Sequence, residues 1–418
     1  MKKKATIKNG WKVLLAGLCI NLTLGVLYSW SVIQKVLVQD WNWSTSDASL
    51  PYTVAIVAWA IALIFAGGLQ DKIGPRKVVT LGAIFTGVGL ILAGFTSNVL
   101  LLTAAFGILA GAGIGFAYSA VTPPALKWFH PSKKGMVTGI VVSGMGLASI
   151  YIAPITSILL DTYGVSITFI VLGIFILVVA TPVAQLLTNP PEGYVPPEPS
   201  KVSTTNASKN PSTNNFKWKE MIKTKEFYLL WLMFALSSSA GLMIIGNIAT
   251  IAKLQANLEA GFYLVGLLAL FNAVGRPAAG ILSDKIGRVP TMMIIFALQG
   301  VNMALFATYS TPLTIAIGTA IAGIGYGSIL ALFPSTAADF YGMKNFGANY
   351  GVLYTAWGIS GLIGPIIAGF VVDKTGSYDG AYMISAILLV VALGIAFITK
   401  PVKETVRGKS VATLKTGN

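Results

Sequence analysis

Gly67-Gly68-Leu69-Gln70-Asp71-Lys72-Ile73-Gly74 recurs as Gly280-Ile281-Leu282-Ser283-Asp284-Lys285-Ile286-Gly287. Ala112-Gly113-Ile114-Gly115 followed by Pro124 recurs as Ala322-Gly323-Ile324-Gly325 followed by Pro334, and Gly135, Gly139 and Gly146 match Gly347, Gly351 and Gly358. The offsets are 213, 210 and 212 residues. One such match could arise by chance in a glycine-rich chain. Three in the same order at nearly constant offset imply a tandem duplication, with two halves of common ancestry and topology. Parallel repeats of this kind suit two bundles that rock about a site between them.

The surroundings of the repeats decide the solvent. With 55% hydrophobic residues, 10% charged residues and a mean hydropathy of +0.76, the 418-residue chain has too little polar surface to solvate a globule in water. Apolar runs long enough to cross a ~30 Å hydrocarbon core as helix are expected at 11–34, 46–68, 77–96, 99–121, 136–160 and 165–187 in the first half. The second half supplies 226–250, 260–282, 290–309, 312–334, 346–371 and 379–399. A membrane barrel would alternate in polarity along each strand, whereas these runs are apolar throughout. The fold class expected is an all-α membrane protein of twelve transmembrane helices in two pseudo-symmetric six-helix bundles.

The net charge of +15 does not mark a nucleic-acid surface, because the basic residues occupy alternate loops. Of the 29 Lys and Arg, all but Lys35, Lys253, Lys374 and Arg276 fall on one side of the predicted spans. The positive-inside rule then places both termini and the central loop in the cytoplasm, in a multi-pass protein of a bacterial inner membrane. Met1-Lys2-Lys3-Lys4 and the apolar stretch behind it resemble a secretory signal, but the stretch runs on through Tyr28-Ser29-Trp30 without a small-residue cleavage site and reads as an uncleaved span. Cys19, the single cysteine, excludes an internal disulfide and a cysteine metal site. Between the halves, Pro190-Pro191, Pro196-Pro197 and a run of Ser, Thr and Asn read as a flexible linker. The expected division is an N-terminal bundle at 1–188, a cytoplasmic linker at 189–220 and a C-terminal bundle at 221–418.

Gly-x-x-x-Asp-Lys-x-Gly followed closely by Arg, in the loop after the second span of each half, resembles the major facilitator superfamily, over essentially the whole chain. The resemblance implies that this loop latches the halves in the outward-open state, with the Asp paired to the Arg and to a helix end. By position the latch falls to Asp71, Arg76, Asp284 and Arg288, Arg288 sitting one residue early in its copy; plain loop charge that fixes topology is the alternative. Gly135, Gly139, Gly347 and Gly351, small residues at i and i+4, are expected to pack one half on the other.

Arg276 needs a separate account. It ends the stretch Leu267-Leu268-Ala269-Leu270-Phe271-Asn272-Ala273-Val274-Gly275-Arg276, deep in span eight. An Arg at mid-membrane costs roughly 2.5 to 3.5 kcal/mol on insertion scales and should face a cavity and find a partner. All fourteen Asp and Glu fall in loops, in the termini or near span ends. The counter-ion is then expected to be the transported solute, an anion held by the planar guanidinium. Asn272, one turn earlier on the same face, can add a hydrogen bond. The alternative is an Arg that snorkels or bonds backbone carbonyls.

Phe271-Asn272-x-x-x-Arg276-Pro277, with Gly25-Val26-Leu27-Tyr28-Ser29-Trp30 and Lys127-Trp128-Phe129-His130-Pro131 before Lys134-Gly135, resembles the monocarboxylate transporter and oxalate/formate antiporter branch of that superfamily. The resemblance implies that Arg276 binds a carboxylate and that Tyr28, Tyr118, Tyr326 and Trp357 close the cavity, the tyrosine hydroxyls serving as donors. Each aromatic could instead simply fill space. Oxalate/formate carriers place a lysine in span eleven after Asn-Tyr-Gly; here Asn349-Tyr350-Gly351 leads to Trp357. One buried cation would leave a dianion half neutralised and matches a monoanion. Animal monocarboxylate carriers have an aspartate and a lysine where Asn272 and Val32 stand here, so the seat of a proton is not visible; Lys35 is one candidate.

His130 invites a proton-relay role, but its place beside Pro131 and Ser132 favours a loop role. No Ser/His/Asp set, metal cluster or phosphate loop stands out, and Gly111-x-Gly113-x-Gly115 lacks the strand a nucleotide site needs, so neither an enzyme nor a cofactor is expected. A membrane sensor would need a signalling domain that the termini and linker do not offer. The function expected is secondary transport of a small monocarboxylate such as lactate or pyruvate together with H⁺, by alternating access, without nucleic acid or partner protein and with membrane lipid as surroundings. An oxalate/formate-type organic anion antiporter is the alternative.

Overall fold

The computed structural model describes residues 7–197, 215–258 and 262–402. Twelve long helical segments make up most of the described residues. In the first half they are α1 (Ile7–Asp40), α2 (Thr45–Ile73), α3 (Pro75–Ala93), α4 (Val99–Trp128), α5 (134–163) and α6 (165–184). In the second they are α7 (Lys225–Ala256), α8 (Phe262–Ile286), α9 (Arg288–Phe306), α10 (Pro312–Tyr341), α11 (Phe346–Thr375) and α12 (Asp379–Ile398). A one-turn helix, Trp218–Met221, precedes α7. The chain is all-helical in the described residues, as the apolar runs predict. Its exposed large apolar side chains include Phe65, Phe95, Leu100, Val178 and Phe397, a surface suited to lipid.

Glycines at positive φ set the breaks. Gly164 (φ 76°, ψ 178°) interrupts what would otherwise be one helix from Lys134 to Ala184 and divides α5 from α6. The last glycine of each copy of the repeated loop, Gly74 (φ 87°) and Gly287 (φ 100°), turns the chain from α2 into α3 and from α8 into α9. An L side chain is strained in that region of backbone space, which explains why both copies end in glycine. Two local departures from α geometry serve the interior. A 3-10 turn over Gly25–Ser29 tightens α1 where Gly25 lies against Ala148 of α5, and a π-helical stretch, Thr103–Ala110, re-registers α4 beside α2 and α3.

The halves meet along two seams, α5 against α8 and α2 against α11. Gly135 and Gly280 face each other so closely that a methyl group on either would overlap the other's carbonyl, and Gly67 and Gly347 do the same across the second seam. Gly139 packs on the backbone of Arg276 and Pro277, and Gly351 on that of Leu63 and Ile64. The four glycines expected to join the halves do so. The partners of Gly135 and Gly347 are the first glycines of the repeated loops, Gly280 and Gly67, so the duplication supplies both sides of each seam. The contacts lie on the side of the basic loops. Towards the other side a methyl group on Gly246, Gly266 or Gly361 would meet nothing.

Candidate functional site

Arg276 is 1% exposed and sits at the α5–α8 seam, one turn above the glycine contacts. Its Nε donates to Asn272 Oδ1 at 3.1 Å, and Nη1 donates across the seam to the carbonyl oxygen of Val142 in α5. Nη2 is buried without a protein acceptor. Arg276 makes no ion pair among the described residues. Of the acidic residues counted in the sequence, Glu198, Glu259 and Glu404 lie outside the described residues. Asn272 thus holds the guanidinium, and a backbone carbonyl takes one of its edges, the contact that the alternative reading of this arginine named.

Around Arg276 the structure brings together all four expected aromatics. The 3-10 turn in α1 sets the half-buried Tyr28 beside both the guanidinium and Tyr118. Tyr118 (α4) accepts a hydrogen bond from the Tyr354 hydroxyl at 3.2 Å. Tyr326 (α10) accepts one from Trp357 Nε1 (α11) at 2.7 Å and lies within electrostatic reach of Arg276. Trp59 of α2 closes the circle: its ring centroid is 5.4 Å from that of Tyr118 and 4.9 Å from that of Trp357. Arg276, Tyr28, Tyr118, Trp59, Trp357 and Tyr326 thus form a ring of six, drawn from α8, α1, α4, α2, α11 and α10.

Two members of this cluster went unread in the sequence. Tyr350, Tyr354 and Trp357 recur at helical spacing on one face of α11 and touch in succession at 5.2 and 5.3 Å. That periodicity could have found Tyr354. Trp59 could have been found from the duplication, since the 213-residue offset maps it onto Asn272.

On the basic side a set of charges bridges the first seam. Asp284 accepts from the backbone N–H groups of Gly135 and Met136 at 2.8 Å each, at the N-terminus of α5, where a carboxylate also meets the positive end of the helix dipole. Arg288 binds Asp284 at 2.7 Å and Asp339 of α10 at 2.7 Å. Lys134, from the other half, completes the set at 2.9 Å from Asp339. At the second seam Asp71 accepts from Ala348 N at 3.3 Å, at the start of α11. The expected Asp71–Arg76 pair is not formed. Arg76 follows Pro75 in the first turn of α3, where it is exposed and makes no ion pair among the described residues, and the cation near Asp71 is Lys127. Arg288, the arginine displaced by one residue in its copy, is the one that pairs: from the first residue of α9 it reaches back across the Gly287 turn to Asp284 in the last turn of α8. His130 Nδ1 and the Ser132 hydroxyl lie 2.8 Å apart, a local turn contact.

The sequence profile described as Major Facilitator Superfamily matches residues 13–271 and 241–416. The chain belongs to the major facilitator superfamily. Its fold agrees: the fucose:proton symporter FucP of E. coli superposes with a TM-score of 0.69 over 93% of this chain and 98% of that one, at 15% identity. The human organic anion transporter MFSD10 does so with a TM-score of 0.67 over 94% and 100%, at 13% identity. Among sequence relatives, the oxalate:formate antiporter of Oxalobacter formigenes is 29% identical over 96% of this chain and 94% of its own. Human monocarboxylate transporter 2 is 26% identical over 81% and 76%. An uncharacterized MFS-type transporter of Escherichia coli K12, YhjX, is 28% identical over 84% and 86%. The protein is a multi-pass membrane transporter of this superfamily, related to monocarboxylate transporters and to the oxalate:formate antiporter, and is not an enzyme.

Proposed function

We propose that the protein carries small monocarboxylates, lactate, pyruvate or a similar acid, together with H⁺ across the bacterial inner membrane, with its basic loops in the cytoplasm. The observation that carries this reading is Arg276: a fully buried guanidinium between the halves, without a carboxylate partner among the described residues and with Nη2 free of any protein acceptor. A carboxylate is the group that matches the planar fork. Tyr28, Tyr118, Tyr326 and Trp357 enclose the acid, and Asn272 fixes the guanidinium plane.

The same geometry supports alternating access. Arg276 Nη1 ties α8 to the Val142 carbonyl of the other half, so a carboxylate taken in bidentate fashion competes for a contact that helps hold the seam shut. Below it, Asp284, Arg288, Asp339 and Lys134 on one seam and Asp71 on the other form the latch of the outward-facing state, without Arg76. The halves, 1–188 and 221–418, rock as units on either side of the 189–220 linker, of which 198–214 lie outside the described residues. Symport with H⁺ is consistent with charge balance, since a monoanion and a proton cross together without net charge.

Uptake of radiolabelled lactate into proteoliposomes, with and without an inward proton gradient, tests the reading. Gradient-stimulated uptake is expected; no uptake of any monocarboxylate from formate to lactate would refute it. The second reading, exchange of oxalate for formate, is favoured by the 29% identical antiporter. Counterflow independent of pH would select it. A single mid-membrane cation argues against a dianion, because one of its two charges would stay uncompensated.

A further inference from the structure

The proposed site holds a second buried donor that meets no protein acceptor. Trp59 is 5% exposed, and its indole Nε1 has no hydrogen-bond partner. A buried tryptophan N–H is a donor only and normally finds an acceptor. The other indole of the ring illustrates the rule, with Trp357 Nε1 donating to Tyr326. A phenylalanine at 59 would keep an aromatic ring against Tyr118 and Trp357 without a desolvated N–H.

The position of Trp59 is as informative as its chemistry. Its ring meets those of Tyr118 and Trp357, Trp357 binds Tyr326, and both Tyr326 and Tyr28 lie within electrostatic reach of Arg276. The 213-residue offset of the duplication also pairs Trp59 in α2 with Asn272 in α8, the residue that holds the guanidinium. The two neighbouring positions obey the same symmetry: Gly146 packs on Ala273, and Gly358 packs on Ala60. The two seam helices therefore carry Trp59 and Asn272 at pseudo-equivalent places.

We propose that Trp59 is a specificity-determining residue that donates its indole N–H to an oxygen on C2 of the transported acid, so that the carrier prefers 2-hydroxy and 2-oxo acids to plain alkanoates. The inference rests on the assignment of Arg276 as the carboxylate site. An acid held there by its carboxylate presents its second carbon across the ring, where Arg276 provides no donor. Lactate and pyruvate offer an acceptor at that place; propionate, with the same three carbons, does not. A single net hydrogen bond corresponds to roughly a five- to tenfold difference in affinity.

Binding of L-lactate, pyruvate and propionate to the purified full-length protein, read by calorimetry, provides the test. The wild type is expected to bind lactate and pyruvate about tenfold more tightly than propionate. Trp59→Phe is expected to weaken lactate and pyruvate by that factor and to leave propionate within about twofold. Equal weakening of all three by Trp59→Phe would mean that the indole only packs, and would overturn the proposal. Where the variant fails to fold, the wild type decides alone: equal affinity for lactate and propionate overturns the assignment of Trp59 while leaving the monocarboxylate reading intact. Binding of none of the three would overturn both.

Discussion

Gly280→Ala isolates the seam between the halves. The added methyl group has no direction of escape: it would overlap the backbone carbonyl of Gly135, with Met136 N 3.2 Å away. Backbone on both sides must shift, and overpacking of this kind costs about 1–3 kcal/mol. The cost falls only on the conformation in which α5 and α8 touch, so it moves the equilibrium toward separation on the basic side. At 1.4 kcal/mol per factor of ten, the closed-to-open ratio should fall by roughly five- to 150-fold. Spin labels at the exposed Lys133 and Lys285 bracket this seam. Their distance distribution should be single and short in the wild type and acquire a longer component in Gly280→Ala. Gly67→Ala should do the same at the second seam, for labels at Lys72 and Lys344. Gly246→Ala, whose methyl meets nothing, should leave both distributions unchanged. An unchanged distribution in Gly280→Ala, with the protein folded, would refute the claim that these glycines hold the halves together.

Arg288→Gln leaves Asp284 and Asp339 without their shared cation, a loss of roughly 3 kcal/mol for a buried pair broken on one side; the same spin-label pair should report opening, whereas Arg76→Gln should change stability by no more than about 0.5 kcal/mol. Tyr326→Phe removes the acceptor of the Trp357 indole N–H and should lower the stability of the detergent-solubilised protein by about 1–3 kcal/mol, read from its thermal unfolding midpoint.

The twelve spans and the duplication were legible because lipid imposes a crude, strong rule on every crossing segment. Gly135, Gly139, Gly347 and Gly351 could be assigned to the seam because small residues at i and i+4 have few other uses in a membrane helix. The central arginine was legible for a similar reason, since a charge at that depth demands a partner. Arg76 was misread because the sequence gives spacing, not azimuth: one residue of offset turns a side chain by about 100° around a helix, which exposes Arg76 and buries Arg288. Trp59 and Tyr354 escaped because an aromatic in a membrane helix looks the same in sequence whether it packs or lines a site. Only their ring contacts and the unpartnered indole N–H separate the two.

The central claim is that Arg276 is the seat of the transported anion, and direct binding tests it. Calorimetric titration of purified wild type and Arg276→Gln with lactate, pyruvate, acetate and formate should show saturable binding of at least one acid to the wild type. Removing one partner of a buried charge pair costs about 2–5 kcal/mol, so the variant, folded to the same extent by thermal unfolding, should lose measurable binding. Undiminished affinity in Arg276→Gln would contradict it.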